Sequence, residues 1–378
     1  MLSSHQHWDT LKACAVGISY PPEWYNYITN SKVRSVMERI AVETEEDYQK
    51  LIAKLREFNV EVLRPVLPDS MEERLLPSGR YAIPPMVPRD HMAMVGERFF
   101  AGRQGQTKKF VSAPSDYVAI VDWVQAQGNT VVWDNRINDA MLTRVGKDLY
   151  FGTTNKQNFQ HTFWETWELD REPNWPKKAP WEWEWLTITQ QDKFIRNYTR
   201  RITNLFPDYR CHIVHTDGHL DGWFCPVCPG LIISLCDFQT YEQTFPGWEV
   251  IELPDQSWNS VRPFMDLKLK NKGKWWVPGE ELNDDFTDYV ENWLGHWVGY
   301  VEETVFDVNM LVIDRKNVLC NNYNKAVFDA FDRYGITPHV VNFRHRYFWD
   351  GGLHCITCDL DRVGDQEDYF PERSQYPI

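Results

Sequence analysis

One local pattern recurs five times along this chain: an amphipathic helical stretch followed within a few residues by a short strand-like run. The first example is TEEDYQKLIAKLREFNVEVLRP, residues 44–65. Thr44 and Asp47 have the spacing of a capping box, and Tyr48, Leu51, Ile52 and Leu55 form one apolar helical face. Asn59 marks the stop, and VEVL reads as a strand. The same plan returns in SDYVAIVDWVQAQGNTVVW, QDKFIRNYTRRITNLFPDYRCHIV, the shorter TYEQTFPGWEVIEL, and YNKAVFDAFDRYGITPHVVNF. Gly or Pro-Asp punctuates the boundary in three of them, as a left-handed cap or tight turn requires. The apolar runs HMAMVG, GLIISL and NMLVID supply further strands. These repeats predict an α/β fold of about five related units, and leave open one sheet or a ring around an axis.

With 378 residues, 43% of them hydrophobic, the chain can build one large core, and we read residues 1–378 as a single domain. No apolar run is long enough to span a bilayer, and the first residues, MLSSHQHWDTLKACAV, lack the apolar centre of a signal peptide. The expectation is a cytoplasmic protein without membrane contact. A net charge of −14 disfavours a nucleic-acid partner. Eight cysteines in such a chain read as thiols or ligands rather than disulfides.

Polar clusters follow the repeated units: PRDH after the first, DNRINDAMLTR after the second, HTDGHLD after the third and RHRYFWDGGLHC after the fifth. Side chains at one end of successive α/β units can converge into a site. Two CxxC pairs, Cys225 with Cys228 and Cys355 with Cys358, raise three possibilities: zinc, a redox pair, or one nucleophile. The pairs lie far apart and lack the context of a zinc ribbon or a thioredoxin helix start. Cys225, Cys228 and Cys236 read as small buried residues. A nucleophilic cysteine needs a base and an orienting group. HLD places His219 and Asp221 on the same face of an extended segment, where they can supply both.

In combination these pieces resemble the arginine:glycine amidinotransferases, within a superfamily of guanidine-modifying enzymes that also holds deiminases and dihydrolases. The matching motifs run in family order: PRD near residue 90, RVGKDLYFG, HLD, NMLVID leading to YGITPHVVNF, and GGLHCITCDL. The resemblance covers most of the chain. It implies a five-bladed, pseudo-fivefold α/β propeller with the site on its axis.

By that resemblance Cys355 is the nucleophile, Cys358 its non-catalytic companion and His219 the general acid/base. Asp90 matches the first guanidinium-binding carboxylate, and Asp221 matches the acid two residues after the histidine. The implied reaction moves the amidino group of arginine through an amidino-cysteine to a small amine, releasing ornithine and needing no cofactor. If water enters instead, the same apparatus is a hydrolase. A non-catalytic guanidine-binding protein is the distant alternative. Small molecules are the expected partners, and family members are often homodimers.

Three departures bear on specificity. Asn138 stands where the family has an aspartate, with Asp139 beside it and Arg144 opening the next motif. Phe238 stands where the family has a carboxylate-anchoring arginine, a role Arg344 or Arg346 could take over. Glu302 and Glu303 occur where small hydroxyl residues line the family's pocket, and suggest a cationic acceptor. A Trp-rich insertion around 157–190 reads as a lid, an oligomer interface or a packed surface excursion.

Overall fold

Strands that are buried on both faces often read as apolar runs, as MAMV at residues 92–95 does, while the buried LTRV at 142–145 carries Thr143 and Arg144. The computed structural model describes residues 1–75, 79, 81–102, 114–134, 137–153, 188–216, 219–235, 241–253, 277, 279–280, 282–293, 307–349 and 351–373. The Trp-rich segment as far as residue 187, Glu302, Glu303 and Phe238 lie outside the described residues.

The described strands make five three-stranded sheets. The first holds β1 (Thr10–Val16), followed by α1 (Ser31–Glu57) and β2 (Glu61–Leu63), which lies parallel to β1. The second is the hairpin β3 (Met92–Val95) and β4 (Arg98–Ala101), then α2 (Val118–Ala126) and β5 (Thr130–Trp133), parallel to β4. The third repeats this with β6 (Leu142–Val145), β7 (Asp148–Thr153), α3 (Ile188–Leu205) and β8 (Arg210–His215). The fourth has β9 (Phe224–Cys228), β10 (Leu231–Ser234), the single turn α4 (Tyr241–Thr244) and β11 (Glu249–Glu252). After α5 (Asp284–Trp293), which packs on α1, the fifth has β12 (Leu311–Asp314), β13 (Asn317–Cys320), α6 (Lys325–Tyr334) and β14 (Thr337–Val340). The last strand, β15 (Thr357–Val363), returns to pair antiparallel with β1, from Thr10 opposite Val363 to Val16 opposite Thr357. Both ends of the described chain thus complete one sheet, and the arrangement is a pseudo-fivefold α/β propeller.

All five expected helix–strand units are present. The inner strands β3, β6, β9, β10 and β12 are almost wholly buried, while the third strands β5, β11 and β14 are partly exposed. The β6–β7 hairpin turns at Gly146, whose φ of 63° favours glycine. A Cβ there would lie 2.0 Å from the Glu367 carbonyl oxygen.

Two local expectations need correction. Thr44 and Asp47 do not cap α1, which starts at Ser31 with Asn30 as N-cap, its side chain accepting from the amides of Lys32 and Val33. Thr44 instead lies mid-helix and accepts a 2.9 Å hydrogen bond from Trp349 Nε1, while Asp47 binds Arg344. The apolar stripe continues N-terminally through Met37 and Ile40, so packing extends the helix past the apparent cap. HLD is likewise not an extended segment: His219 caps a 3-10 turn over Leu220–Gly222. Asn59 does end α1, in the left-handed region with φ of 58°.

Candidate active site

Inner strands of this propeller are entered from tight turns, and those turns carry the polar residues. Asp90 ends the 3-10 turn before β3, Asp139 opens the one before β6, and Asp221 sits in the one before β9. Asn309 and Cys355 hold the corresponding places before β12 and β15. The first three turns pack against one another.

Cys355 is buried, 1% exposed. Its Sγ lies 3.8 Å from Asp221 Oδ2 and accepts a hydrogen bond from Asn309 Nδ2 at 3.0 Å. Asn309 Oδ1 accepts from the backbone amides of His354, at 2.9 Å, and Cys355, at 3.2 Å. Two donors on that atom identify it as the carbonyl oxygen, so the NH₂ group is what faces the sulfur. Asn321 backs this up: its Nδ2 donates to the Asn309 carbonyl and its Oδ1 accepts from the Leu353 amide. Gly352 passes so close that a Cβ would stand 2.5 Å from Asn309 Oδ1.

Asp221 Oδ2 also meets His354 Nδ1 at 2.6 Å. Burial, with the Arg89 guanidinium and the His7 ring beside it, holds His354 well below the ordinary histidine range. The ring is therefore neutral, and Nδ1–H donates to the carboxylate, fixing its direction. His219 and Asp90 form a looser pair, Nδ1 to Oδ1 at 3.9 Å, with side chains 23% and 26% exposed. They are the solvent-reachable part of a site whose sulfur is covered.

Behind Cys355 lies a fully buried ionic cluster. Arg89 Nε donates to the carbonyls of His354 and Thr357, at 2.7 and 2.9 Å, gripping the chain on both sides of Cys355. Its other nitrogens bind Asp139 and, at 3.0 Å, Asp359. Arg144 binds the same two carboxylates, and Arg362 Nε reaches Asp359 at 2.7 Å. Burial alone would raise the Asp359 carboxyl, but Arg362, Arg89 and Arg144 together hold it well below the usual carboxylate range.

The structure therefore brings Cys355, Asp221, His219 and Asp90 into one region and sets the other candidates apart. Asp139 and Arg144 are at 0% exposure and ion-paired with each other and with Arg89 and Asp359. Asn138 is buried and caps its own turn by accepting from the Met141 amide at 3.1 Å. Arg344 is turned onto α1, where it binds Asp47, Glu46 and the Glu43 carbonyl. Arg346 Nη1 donates to Asn342.

Cys358 points away into another part of the core, and burial pushes its thiol well above the ordinary value. Cys225 and Cys228 are buried in β9, their thiols pushed up to about 12 and about 11 by burial. Sequence reasoning missed Asn309, His354 and Arg89. The signal for Asn309 was available, because it stands just before an inner strand, as Asp90 and Cys355 do.

No protein-family model matches the chain. Mitochondrial glycine amidinotransferase from Gallus gallus is 27% identical over 175 residues, 44% of this chain. That stretch spans 33% of the relative's own length. SxtG, an amidinotransferase from Microseira wollei in the saxitoxin biosynthetic pathway, has the same fold, with a TM-score of 0.59 at 15% identity. The match covers 98% of this chain and 99% of that one. Inosamine-phosphate amidinotransferase StrB1 from Streptomyces griseus gives 0.58 at 17% identity, with the same coverage. These likenesses define the class of the fold, the amidinotransferase-type α/β propeller. Within that class, the chain's sequence is similar to the glycine amidinotransferases over those 175 residues.

Proposed function

We propose that the protein is an amidinotransferase that takes the amidino group of arginine onto Cys355 and passes it to a small amine. The observation that carries this reading is the meeting of Cys355 with Asp221, 134 positions away in sequence, on the turn that also presents His219 to Asp90. A thiol, two carboxylates and an imidazole in one region are what covalent chemistry at a guanidinium carbon needs.

Asp90 and Asp221 hold the planar donor cation by charge-assisted hydrogen bonds. The Cys355 sulfur attacks as thiolate, its proton having passed to His219, and forms the S–C bond to the guanidinium carbon. The donor's C–N bond breaks as His219 gives its proton to the leaving amine, which departs as ornithine. His219 then takes a proton from the incoming amine, whose nitrogen attacks the amidino carbon and expels the sulfur. Asp139, Arg144 and Arg89 act behind this site, by holding the turn that carries Cys355. The Asn138 amide, standing where the family has an aspartate, narrows or changes the donor range.

The test is product analysis with arginine, in the presence and absence of a panel of primary amines. Ornithine formed only with an amine, alongside a new guanidino compound, supports transfer. Citrulline, or ornithine with urea, formed without an amine would mean water is the acceptor and the chain is a hydrolase.

A further inference from the structure

Asn309 directs an N–H at the Cys355 sulfur. Its carboxamide oxygen, Oδ1, is held by two successive backbone amides, and its backbone carbonyl accepts from Asn321 Nδ2. Gly352, with no Cβ, lets the loop approach this closely, since a Cβ there would stand 2.5 Å from Asn309 Oδ1. Nδ2 is thereby locked 3.0 Å from Sγ in a fully buried setting.

A hydrogen bond donated to sulfur favours the thiolate over the thiol, because the acceptor gains more when it carries the charge. The neighbouring carboxylate acts in the opposite sense. Asp221 Oδ2, at 3.8 Å, accepts from the thiol and repels the thiolate. The other titratable or charged groups nearby are the neutral His354, Arg89 bound to the flanking carbonyls, and the His219–Asp90 pair.

Resting on the function proposed above, we propose that Asn309 is the thiolate-stabilising partner of Cys355, serving the sulfur both as nucleophile and as leaving group. In the first half-reaction the sulfur's electron pair enters the S–C bond. In the second the C–S bond breaks and that pair returns to Cys355, where the Asn309 N–H meets it. One donor thus lowers the barrier on both sides of the covalent intermediate.

The test needs no substrate, so it stands or falls separately from amidino transfer. Full-length protein is alkylated with iodoacetamide across a pH series and followed by intact mass, with Cys355→Ser identifying the reactive site. Asn309→Ala removes the donor. Asn309→Asp keeps an oxygen toward the two amides and puts an oxygen against the sulfur, so it reads the same contact should Asn309→Ala not fold. Both move the alkylation midpoint up by about one unit or more, and slow alkylation about tenfold at neutral pH. At high pH the rates converge with that of the unsubstituted protein. Asn321→Ala, which loosens the loop but leaves Nδ2 on the sulfur, moves the midpoint much less. Unchanged midpoints in both Asn309 variants would overturn the proposal, as would a slowing that persists at high pH or an equal shift in Asn321→Ala.

Discussion

His354 donates from Nδ1 to Asp221 at 2.6 Å, and so the residue beside Cys355 in sequence fixes the carboxylate beside it in space. A donor of this kind aims the carboxylate. The turn around Cys355 is therefore held from two directions, by His354 toward Asp221 and by Arg89 on the carbonyls of His354 and Thr357.

On the proposed function, the partly exposed His219–Asp90 pair divides proton transfer from binding. His219→Ala lowers turnover by about 10²–10⁴-fold, the usual cost of removing a general acid/base, while Cys355 remains open to alkylation. Asp90→Asn mainly weakens donor binding, by about ten- to a hundredfold in KM. Steady-state kinetics with arginine checks both, and a His219→Ala enzyme of full activity would remove that residue from the mechanism.

Close approach makes Gly352 harder to replace than Gly351. A Cβ at Gly352 would stand 2.5 Å from Asn309 Oδ1, whereas one at Gly351 would meet Cys355 Cβ and a Val87 methyl at 3.3 Å. Gly352→Ala displaces the Asn309 amide and slows Cys355 alkylation at neutral pH about tenfold or more. Gly351→Ala has the smaller effect. Parallel alkylation of the two variants reads the difference, and equal rates would contradict it.

Acid destabilises the core through its buried imidazoles. Burial holds both His7 and His354 well below the ordinary histidine value of 6.5. Their unfolded forms take up protons as pH falls through that value while the folded forms do not. Their contribution to stability is thus present above pH 6.5 and is lost below it, at about 1.4 kcal/mol per pH unit for each group. Urea unfolding at about pH 7.5 and about pH 5.5 measures this slope, which His7→Phe reduces by about half.

The buried ionic cluster depends on each of its members. Arg89→Met leaves Asp139 and Asp359 with less positive charge than they were folded around, and costs about 3–5 kcal/mol. Denaturant midpoints give the value. A loss below about 1 kcal/mol would mean that Arg144 and Arg362 suffice for both carboxylates.

Much of this architecture was legible in the sequence, because each helix–strand unit carries its own periodicity and turn residues. The inner strands β3, β10 and β12 showed as apolar runs for the same reason they are buried. What escaped has physical causes. The pairing of Thr10 with Val363 joins distant segments that share no local signal. The start of α1 was obscured because Thr44 and Asp47 mimic a cap while serving Trp349 and Arg344. Asn309 opens the NMLVID run, which read only as a strand and hid its polar first residue. Asp139 and Arg144 stand beside the expected binding position, yet their charges are matched inside the fold, which spacing alone cannot reveal.

The most direct measurement is intact-protein mass spectrometry after brief mixing with arginine and an acid quench, beside Cys355→Ser. The account predicts a mass gain of one amidino group on the unsubstituted chain, none on Cys355→Ser, and loss of the gain when an accepted amine is added. Turnover of arginine with no adduct, or an adduct that survives in Cys355→Ser, would contradict covalent transfer through Cys355.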